Sequence, residues 1–179
     1  RILVARQQGC PELGDRARYL YSFPRIETEI PRCLTSEGRV LDHASNHLRE
    51  LRQEIRDLEG QIQRSLYNVL HDPDILKMVQ EPLVTQRQNR YVIPIKAEHR
   101  SRFPGLVIDQ SSSGVTYFME PLSVFPLSNR LRAAQLGEEK EVEVILQTLS
   151  GHVGQESERL LIACEEMAQI DALGAQAQY

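Results

Sequence analysis

The sequence predicts a mainly α-helical fold with a small antiparallel β insertion. Apolar residues recur every three or four positions over most of the chain, as they do on one face of a helix. Between about residues 83 and 120 the apolar period shortens to two, which is typical of strands that bury one face. Because two long helical stretches bracket these strands, we expect an antiparallel helical pair that carries the sheet at its far tip.

Composition and charge argue against several classes of function. The 179 residues are 26% charged with a net charge of −4, so the chain as a whole is not a general binder of polyanions. No apolar run approaches the roughly 18 residues that a membrane span needs, and we expect no membrane partner and a cytoplasmic location. The chain begins at Arg1 rather than at a methionine, which favours a fragment of a longer protein.

The three cysteines are expected to be reduced intracellular thiols. Cys10, Cys33 and Cys164 are odd in number and lack the spacing of metal ligands. Their expected role is that of small buried apolar side chains.

Short helical segments come first, and a long amphipathic helix follows them. Pro11, Pro24 and Pro31 punctuate residues 1–34 at positions suited to helix starts or stops. Ser45 can cap the long helix, which is predicted to end near Leu70, before the turn-forming sequence HDPD. Its apolar stripe consists of Leu48, Leu51, Ile55, Leu58, Ile62, Leu66 and Val69.

The β insertion is predicted to contain about four short strands. The first two flank a polar turn at 86–89, where Asn89 tolerates a left-handed backbone better than most residues. Pro94 in the second strand cannot donate to a sheet ladder, which predicts an edge strand or a bulge. Alternate residues of that strand point to opposite faces: Tyr91, Ile93 and Ile95 to one, and Arg90, Val92, Pro94 and Lys96 to the other.

The stretch GLVIDQSSSGVTYFMEP, residues 105–121, predicts two further strands joined by a tight turn. Gly114 supplies a positive φ, and the serines satisfy local backbone groups. A phosphate-binding loop would need the pattern G-x-x-x-x-G-K-[ST], which occurs nowhere in the sequence. A serine nucleophile would need an enclosed site with a base and an acid, and His99 and Asp109 beside an exposed hairpin do not supply one.

The last part of the chain is predicted to be helical again. Residues 129–178 contain no proline and carry a discontinuous apolar stripe. A continuous helix of that span would reach roughly 75 Å at ~1.5 Å per residue. A glycine inside a helix costs about 1 kcal/mol relative to alanine, so Gly137, Gly151 and Gly154 are the expected points of bending or interruption.

Basic residues are concentrated in the predicted β insertion. Residues 85–102 hold five basic residues against the single acid Glu98, which gives a local charge of +4 and leaves −8 for the remainder. Contact with a nucleic-acid backbone selects for such lysines and arginines without base readout; a solvated charged loop is the alternative. The serines near residue 112 could add hydroxyl and amide contacts to phosphates.

Three stretches resemble the second bacterial MutS lineage, the MutS-two family. They are RQNRYVIPIKAEHRSRFPGLVIDQSSSGVTYFMEP, LSNRLRAAQLGEEKEVEVILQTLS and, upstream of both, GRVLDHASNHLRELRQEI. The resemblance covers essentially the whole chain and is most specific in its central block, residues 87–121.

The resemblance implies a MutS core/lever and clamp architecture. Partial core helices would occupy residues 1–43, an outgoing lever helix 44–80, a β clamp 81–126 and a returning lever helix 127–179. Clamp tips of MutS-type proteins meet the nucleic-acid backbone. The resemblance therefore assigns nucleic-acid binding to Arg87, Arg90, Lys96, Arg100 and Arg102, together with Ser111, Ser112 and Ser113.

The resemblance also implies that this segment is non-catalytic and holds no cofactor. The family's ATPase domain, which uses ATP and Mg²⁺, and its Smr nuclease domain lie outside the matching segment. Family members resemble true MutS in forming ATP-dependent homodimers that close around nucleic acid. The expected partners are DNA, branched and bound without regard to sequence, and the collided ribosome, with roles in DNA repair and restraint of recombination.

Two other classes of function are open alternatives. A coiled-coil interaction or scaffold module with a β tip would need exposed apolar side chains, for which Val107, Tyr117 and Phe118 are candidates, although the sheet's own core is their expected place. A metal enzyme would need convergent ligands. His43 and His47 have a metal-compatible helical spacing, but His43 precedes the expected helix start and no metal site is predicted.

Overall fold

A computed structural model of the chain describes residues 11–176, which fall into two compact units. One unit comprises residues 11–44 and 142–176, and the other is Ser45–Glu141. The predicted combination of helices with a small antiparallel sheet is confirmed. The elements are α1 (Pro11–Arg16), α2 (Pro24–Cys33), α3 (Asn46–Leu70), α4 (Pro73–Met78), β1 (Thr85–Arg87), β2 (Arg90–Lys96), β3 (Gly105–Gln110), β4 (Thr116–Pro121), α5 (Phe125–Gln155) and α6 (Ser157–Gln176).

Helix α3 begins and ends where the sequence predicts. The Ser45 hydroxyl accepts from the backbone N–H of Leu48 at 2.9 Å, which satisfies one of the free donors of the first turn. The helix ends at Leu70. Of the predicted stripe, Leu48, Leu58, Ile62 and Leu66 are fully buried, and Leu51, Ile55 and Val69 are partly buried.

The sequence HDPD starts a helix rather than only a turn. Asp72 accepts from the backbone N–H groups of Asp74 and Ile75 and thereby caps α4. Pro73 occupies the first helical position, where its missing N–H is not needed. The prediction of a plain turn was wrong because these same residues are helix-start signals.

The first part of α5 packs against α3 within Ser45–Glu141. A Cβ atom on Gly137 would lie 3.1 Å from Cδ2 of Leu51, so the missing side chain permits this close approach. Arg52 pairs with Glu138 at 2.7 Å, and the Ser45 hydroxyl donates to Glu141 at 2.7 Å.

The sheet has the order β1-β2-β4-β3 with every neighbouring pair antiparallel. Its buried residues pack with those of α3 and α5 into one core. That core contains Ile93, Ile95 and Met119 of the sheet, Leu58, Ile62 and Leu66 of α3, and Leu131 and Ala134 of α5.

Strand β2 is central, so the prediction from Pro94 of an edge strand or a bulge was wrong. Neighbouring β1 pairs only as far as Val92, two residues before the proline. The carbonyl of Pro94 accepts from the N–H of Gln80, on the side away from β4. Because the N–H and C=O of one residue in an antiparallel strand point to the same side, the missing N–H removes no bond to β4.

Both hairpin turns use the predicted left-handed residues. Asn89 has φ 60° and Gln88 has φ 51°, as a two-residue hairpin turn between twisted strands requires. Gly114 has φ 75° between β3 and β4. The tight-turn interpretation of the serine stretch is therefore confirmed.

The last helical region starts earlier than predicted and has one interruption. Helix α5 begins at Phe125, since Pro126 is tolerated in a first turn. It continues through Gly137, Gly151 and Gly154 to Gln155, and α6 starts at Ser157. The sequence predicted bending or interruption at these glycines. The observed interruption comes two residues after Gly154, and the helix continues through the other two glycines.

Contacts of charged side chains connect the two segments of the unit of residues 11–44 and 142–176. Nδ1 of His152 lies 2.5 Å from Oε2 of Glu29, and Nη2 of Arg25 lies 2.6 Å from Nε2 of the same imidazole. Elsewhere in the unit, Arg159 lies over the ring of Tyr21 at 4.6 Å, and Arg16 pairs with Glu166 at 3.1 Å.

Two of the three predicted buried cysteines lie among the described residues. Cys33 is buried as expected, whereas Cys164 is exposed on α6, so the expectation of burial was wrong there. Cys10 lies outside the described residues.

Pro31 lies inside α2 rather than at a helix end, two residues before the helix stops. None of the described helices is long and apolar enough to cross a membrane.

Candidate nucleic-acid interface

The five predicted basic residues do not form one cluster. Arg87 and Arg90 flank the turn between β1 and β2, whereas Lys96 ends β2. Seven residues of strand extend roughly 20 Å, so the two groups lie at opposite ends of β2. Arg100 and Arg102 belong to the loop that follows Lys96.

Arg90 is a structural contact whose charge is compensated. Its Nη1 donates to Oε2 of the completely buried Glu120 at 2.7 Å, and its Nη2 donates to Oδ1 of Asn129 at 2.8 Å. The guanidinium also lies 5.2 Å from the ring centroid of Phe125. Arg90 thus joins β2 to β4 and to the start of α5.

Arg87 lies on the face of the sheet near an aromatic ring and a carboxylate. Its guanidinium carbon is 4.6 Å from the ring centroid of Phe118. Its Nε is 3.7 Å from Oδ2 of Asp109, the residue that pairs with Phe118 across β3 and β4. Arg87 is therefore exposed but partly compensated.

Lys96 brings a further lysine to the other end of β2. The Lys96 ammonium donates to the backbone carbonyl of Lys77 at 3.2 Å. The Lys77 ammonium bonds to Asp74 at 2.8 Å, and this hydrogen bond is the main reason why the pKa of Asp74 lies below its ordinary value. The charge of Lys77 and, more weakly, that of Arg102 lower the same pKa.

Arg100 and Arg102 are exposed cations of this region, and Asp74 interacts only weakly with Arg102. Arg100 lies over the ring of Tyr117 at 4.8 Å. Within residues 11–176, neither guanidinium is within ion-pair or hydrogen-bond distance of another side chain. We refer to Lys77, Lys96, Arg100 and Arg102 as the basic end of the sheet.

The serine turn lies at the same end of the sheet. Lys96 pairs with Thr116 at the start of β4, and the N–H of Ala97 donates to the carbonyl of Val115. The Ser111 hydroxyl accepts from the N–H of Thr116 at 3.1 Å, so it is used by the turn. The side chains of Ser112 and Ser113 are exposed.

Sequence reasoning missed Lys77 and the contacts between arginines and aromatic rings. Lys77 lies outside the basic window of residues 85–102, and the short helix that positions it was taken for a turn. The aromatic partners Tyr117 and Phe118 follow each other on β4, and each lies beneath a different arginine. The helix-start signals at Asp72 and Pro73 could have revealed the position of Lys77. Strand alternation alone could not have revealed which arginine lies over which aromatic ring.

The apolar candidates for an interaction surface have different environments. Tyr117 packs against the core, and Phe118 is partly buried beneath Arg87. Val107 is 40% exposed, so the expectation that it belongs to the core was wrong. It lies on the edge strand β3, next to a register shift between Val107 and Asp109.

Metal ligands do not converge in the part of the chain that the structure describes. No group of three or more His, Cys, Asp or Glu side chains there is arranged to hold a metal ion. His43 lies in a short 3₁₀ turn before α3, and His47 is exposed in its first turn.

Comparison with known proteins identifies the family. No family model matches the chain. The chain is 39% identical over 169 residues to Endonuclease MutS2 of Geobacillus sp. (strain WCH70), which is 94% of this chain and 22% of that relative. It is 42% identical over 171 residues to Endonuclease MutS2 of Geobacillus thermodenitrificans (strain NG80-2), covering 96% of this chain and 22% of the relative.

A further relative agrees with these two. Putative endonuclease MutS2 of Bacillus subtilis (strain 168) is 36% identical over 169 residues, again 94% of this chain and 22% of the relative. The chain therefore spans about a fifth of the length of the curated relatives it matches. These matches confirm the resemblance seen in the sequence: the chain belongs to the MutS-two family and corresponds to one segment of its members.

Proposed function

We propose that the chain is a non-catalytic clamp and lever segment of a MutS-like ATPase, and that its basic end binds the sugar–phosphate backbone of nucleic acid. One observation carries the proposal. Arg100 and Arg102 are exposed, stand beside Lys77 and Lys96, and have no ion-pair partner among the described residues.

The chemistry of the basic end favours backbone contacts over base readout. A lysine or arginine that neutralises a phosphate releases condensed counterions, and this gain does not depend on sequence. Lys96 at one strand end and Arg100 and Arg102 in the following loop can follow a phosphate chain, whereas the neighbouring Lys77 is paired with Asp74. The charge of −8 outside residues 85–102 repels a polyanion and so favours contact at this end.

We propose DNA as the ligand. The relatives are named endonucleases, and an endonuclease acts on nucleic acid. Binding without sequence readout suits branched DNA, and the corresponding roles are DNA repair and control of recombination. Ribosomal RNA presents the same phosphates, so the collided ribosome is the alternative target.

ATP and Mg²⁺ binding, nuclease activity and homodimer contacts are proposed for parts of the longer protein outside this segment. The residues of this chain do not fit a nucleotide. The sequence has no G-x-x-x-x-G-K-[ST] pattern, and the serine turn leads into β4 rather than into a helix.

An interaction module is the second candidate, favoured by exposed apolar side chains near the serine turn and on β3. Leu106, Val107 and Val115 are 38%, 40% and 60% exposed. A protein partner held by these residues would bind with little dependence on salt, since apolar contacts are not screened as charges are.

The test compares two double variants that remove the same charge. Arg100→Gln with Arg102→Gln removes two exposed cations of the basic end. Arg49→Gln with Lys140→Gln removes two exposed cations elsewhere, one in the first turn of α3 and one beside Glu141 of α5. Binding to a four-way DNA junction, to linear duplex and to ribosomes is measured at low salt. The proposal predicts a loss only in the first variant; equal binding by both variants would refute it.

A further inference from the structure

Arg87 and Phe118 form an exposed pair with a defined geometry. The Arg87 guanidinium lies over the Phe118 ring at 4.6 Å, and the Arg87 side chain remains 45% exposed. Asp109, which is 3.7 Å from Nε of Arg87, restricts where the guanidinium can move. The guanidinium carbon therefore lies close above the ring, while part of the Arg87 side chain faces solvent.

The charge balance at this pair differs from that at the basic end. Arg100 also lies over an aromatic ring, that of Tyr117, but has no carboxylate within ion-pair distance among the described residues. Arg87 shares its charge with Asp109, whose own charge repels a phosphate. A compensated guanidinium is a poor phosphate contact, yet its flat π-face can still stack.

Unpaired nucleobases are the ligands that this chemistry fits. Single-stranded nucleic acids are held by stacking bases on aromatic rings and on arginine guanidinium planes. Each such stack is worth about 1–3 kcal/mol and accepts any base, because every base has a π-face.

The position of the pair agrees with a strand that also contacts the basic end. Phe118 and Thr116 lie two residues apart on β4, on the same face, and Thr116 pairs with Lys96. Two residues of strand span about 7 Å. A nucleic-acid strand held at Lys96 can therefore bring a nearby base to Phe118, over which the Arg87 guanidinium lies.

We propose that Arg87 and Phe118 form a stacking platform for one unpaired base of DNA or RNA. This inference rests on the proposed function, because it needs nucleic acid at the sheet. It adds that the preferred ligand contains unpaired bases, as a single-stranded flap or open end of a branched molecule does.

The experiment uses the full chain and a 12-nucleotide single strand that carries one 2-aminopurine, prepared as DNA and as RNA, with the perfect DNA duplex alongside. Arg87→Lys keeps the positive charge but removes the planar guanidinium group. Phe118→Leu keeps an apolar side chain but removes the aromatic ring. Arg49→Lys is the matched control on an exposed arginine of α3. Thermal melts establish that each variant is folded.

The expected result is an approximately tenfold weaker affinity of both platform variants for the single strand, which corresponds to about 1.4 kcal/mol. The 2-aminopurine quenching is lost, and duplex affinity is unchanged. The DNA and RNA arms show which strand is held better. Unchanged single-strand binding by Arg87→Lys and Phe118→Leu would overturn the platform, even if Arg100→Gln with Arg102→Gln still abolishes duplex binding. Failure of the unaltered chain to bind any strand at low salt would overturn the proposed function with it.

Discussion

Nη1 of Arg90 donates to Oε2 of Glu120 at 2.7 Å, and the Glu120 side chain is completely buried. Sequence reasoning placed Arg90 on the nucleic-acid surface because Arg90 belongs to the basic window of residues 85–102. In the folded protein its guanidinium balances a carboxylate that water cannot reach. The other Glu120 oxygen, Oε1, has no hydrogen-bond partner among the described residues, which makes the contact with Arg90 more important.

Replacing Arg90 by methionine is predicted to destabilise Ser45–Glu141 strongly. Removal of one partner leaves the Glu120 charge buried and uncompensated, which typically costs about 3 kcal/mol or more. Urea denaturation followed by circular dichroism measures the loss. Arg49→Met, on an exposed arginine, should change the free energy of unfolding by no more than about 0.5 kcal/mol.

The companion variant separates charge from packing. Adding Glu120→Leu to Arg90→Met removes both partners, and such replacements of buried pairs are often nearly neutral. We expect the double variant to regain most of the stability that Arg90→Met loses. If Arg90→Met alone is as stable as the unaltered chain, the ion pair does not have this role.

Gly105→Ala is predicted to destabilise the sheet by about 1–3 kcal/mol, as other overpacked sites do. A Cβ atom at Gly105 would lie 2.5 Å from Cε1 of Phe103 and 2.8 Å from the backbone oxygen of Glu120. Because that oxygen belongs to the backbone of β4, it cannot simply rotate away. The midpoint of urea unfolding should fall.

Gly60→Ala is the control for Gly105→Ala. A Cβ atom there would meet only Nη1 of Arg64, at 3.6 Å. Alanine is favoured over glycine inside a helix by about 1 kcal/mol, so this variant should be as stable as the unaltered chain or more so. Equal effects of the two alanines on stability would show that close packing at Gly105 does not limit the size of its side chain.

Glu29 should make the unit of residues 11–44 and 142–176 sensitive to acid. The hydrogen bond from Arg25, followed by that from His152, lowers the pKa of Glu29 below its ordinary value of 4.5. A carboxyl with a lowered pKa stabilises the folded state above its unfolded pKa. That stabilisation is lost as the pH falls from 4.5 through the lower folded pKa.

Melting temperatures of the unaltered chain and of Glu29→Gln measure this effect. Their difference should be larger at pH 6 than at pH 3, because protonation removes the advantage of the carboxylate. Glu165→Gln, on an exposed glutamate of α6, should show almost no difference at either pH. If the difference in melting temperature between the unaltered chain and Glu29→Gln stays constant down to pH 3, the Glu29 carboxylate does not stabilise the unit in this way.

The sequence is sufficient where one local signal determines an element. The stripe of α3 and its Ser45 cap are local, and both were predicted correctly. The left-handed turn at Asn89 and the positive φ of Gly114 were predicted for the same reason. Where two signals competed, as at Asp72 and Pro73, choosing the turn over the helix start was wrong.

Sequence reasoning could not predict contacts between residues far apart in the chain. Pro94 tolerates a central strand only because β1 stops at Val92, and the sequence does not show how far a strand pairs. Arg90 and Glu120 are 30 residues apart, so their ion pair could not be inferred from the charge count. Charge in the sequence predicted a basic region, but not which of its cations form ion pairs in the folded protein.

The salt dependence of duplex DNA binding measures directly whether the basic end contacts phosphates. Each phosphate contact contributes about −0.9 to the slope of log K against log salt concentration. We expect Arg100→Gln with Arg102→Gln to weaken binding and to make the slope shallower by about 2. Arg49→Gln with Lys140→Gln should leave the slope unchanged. The same slope in both double variants and in the unaltered chain would show that the basic end does not contact the DNA phosphates.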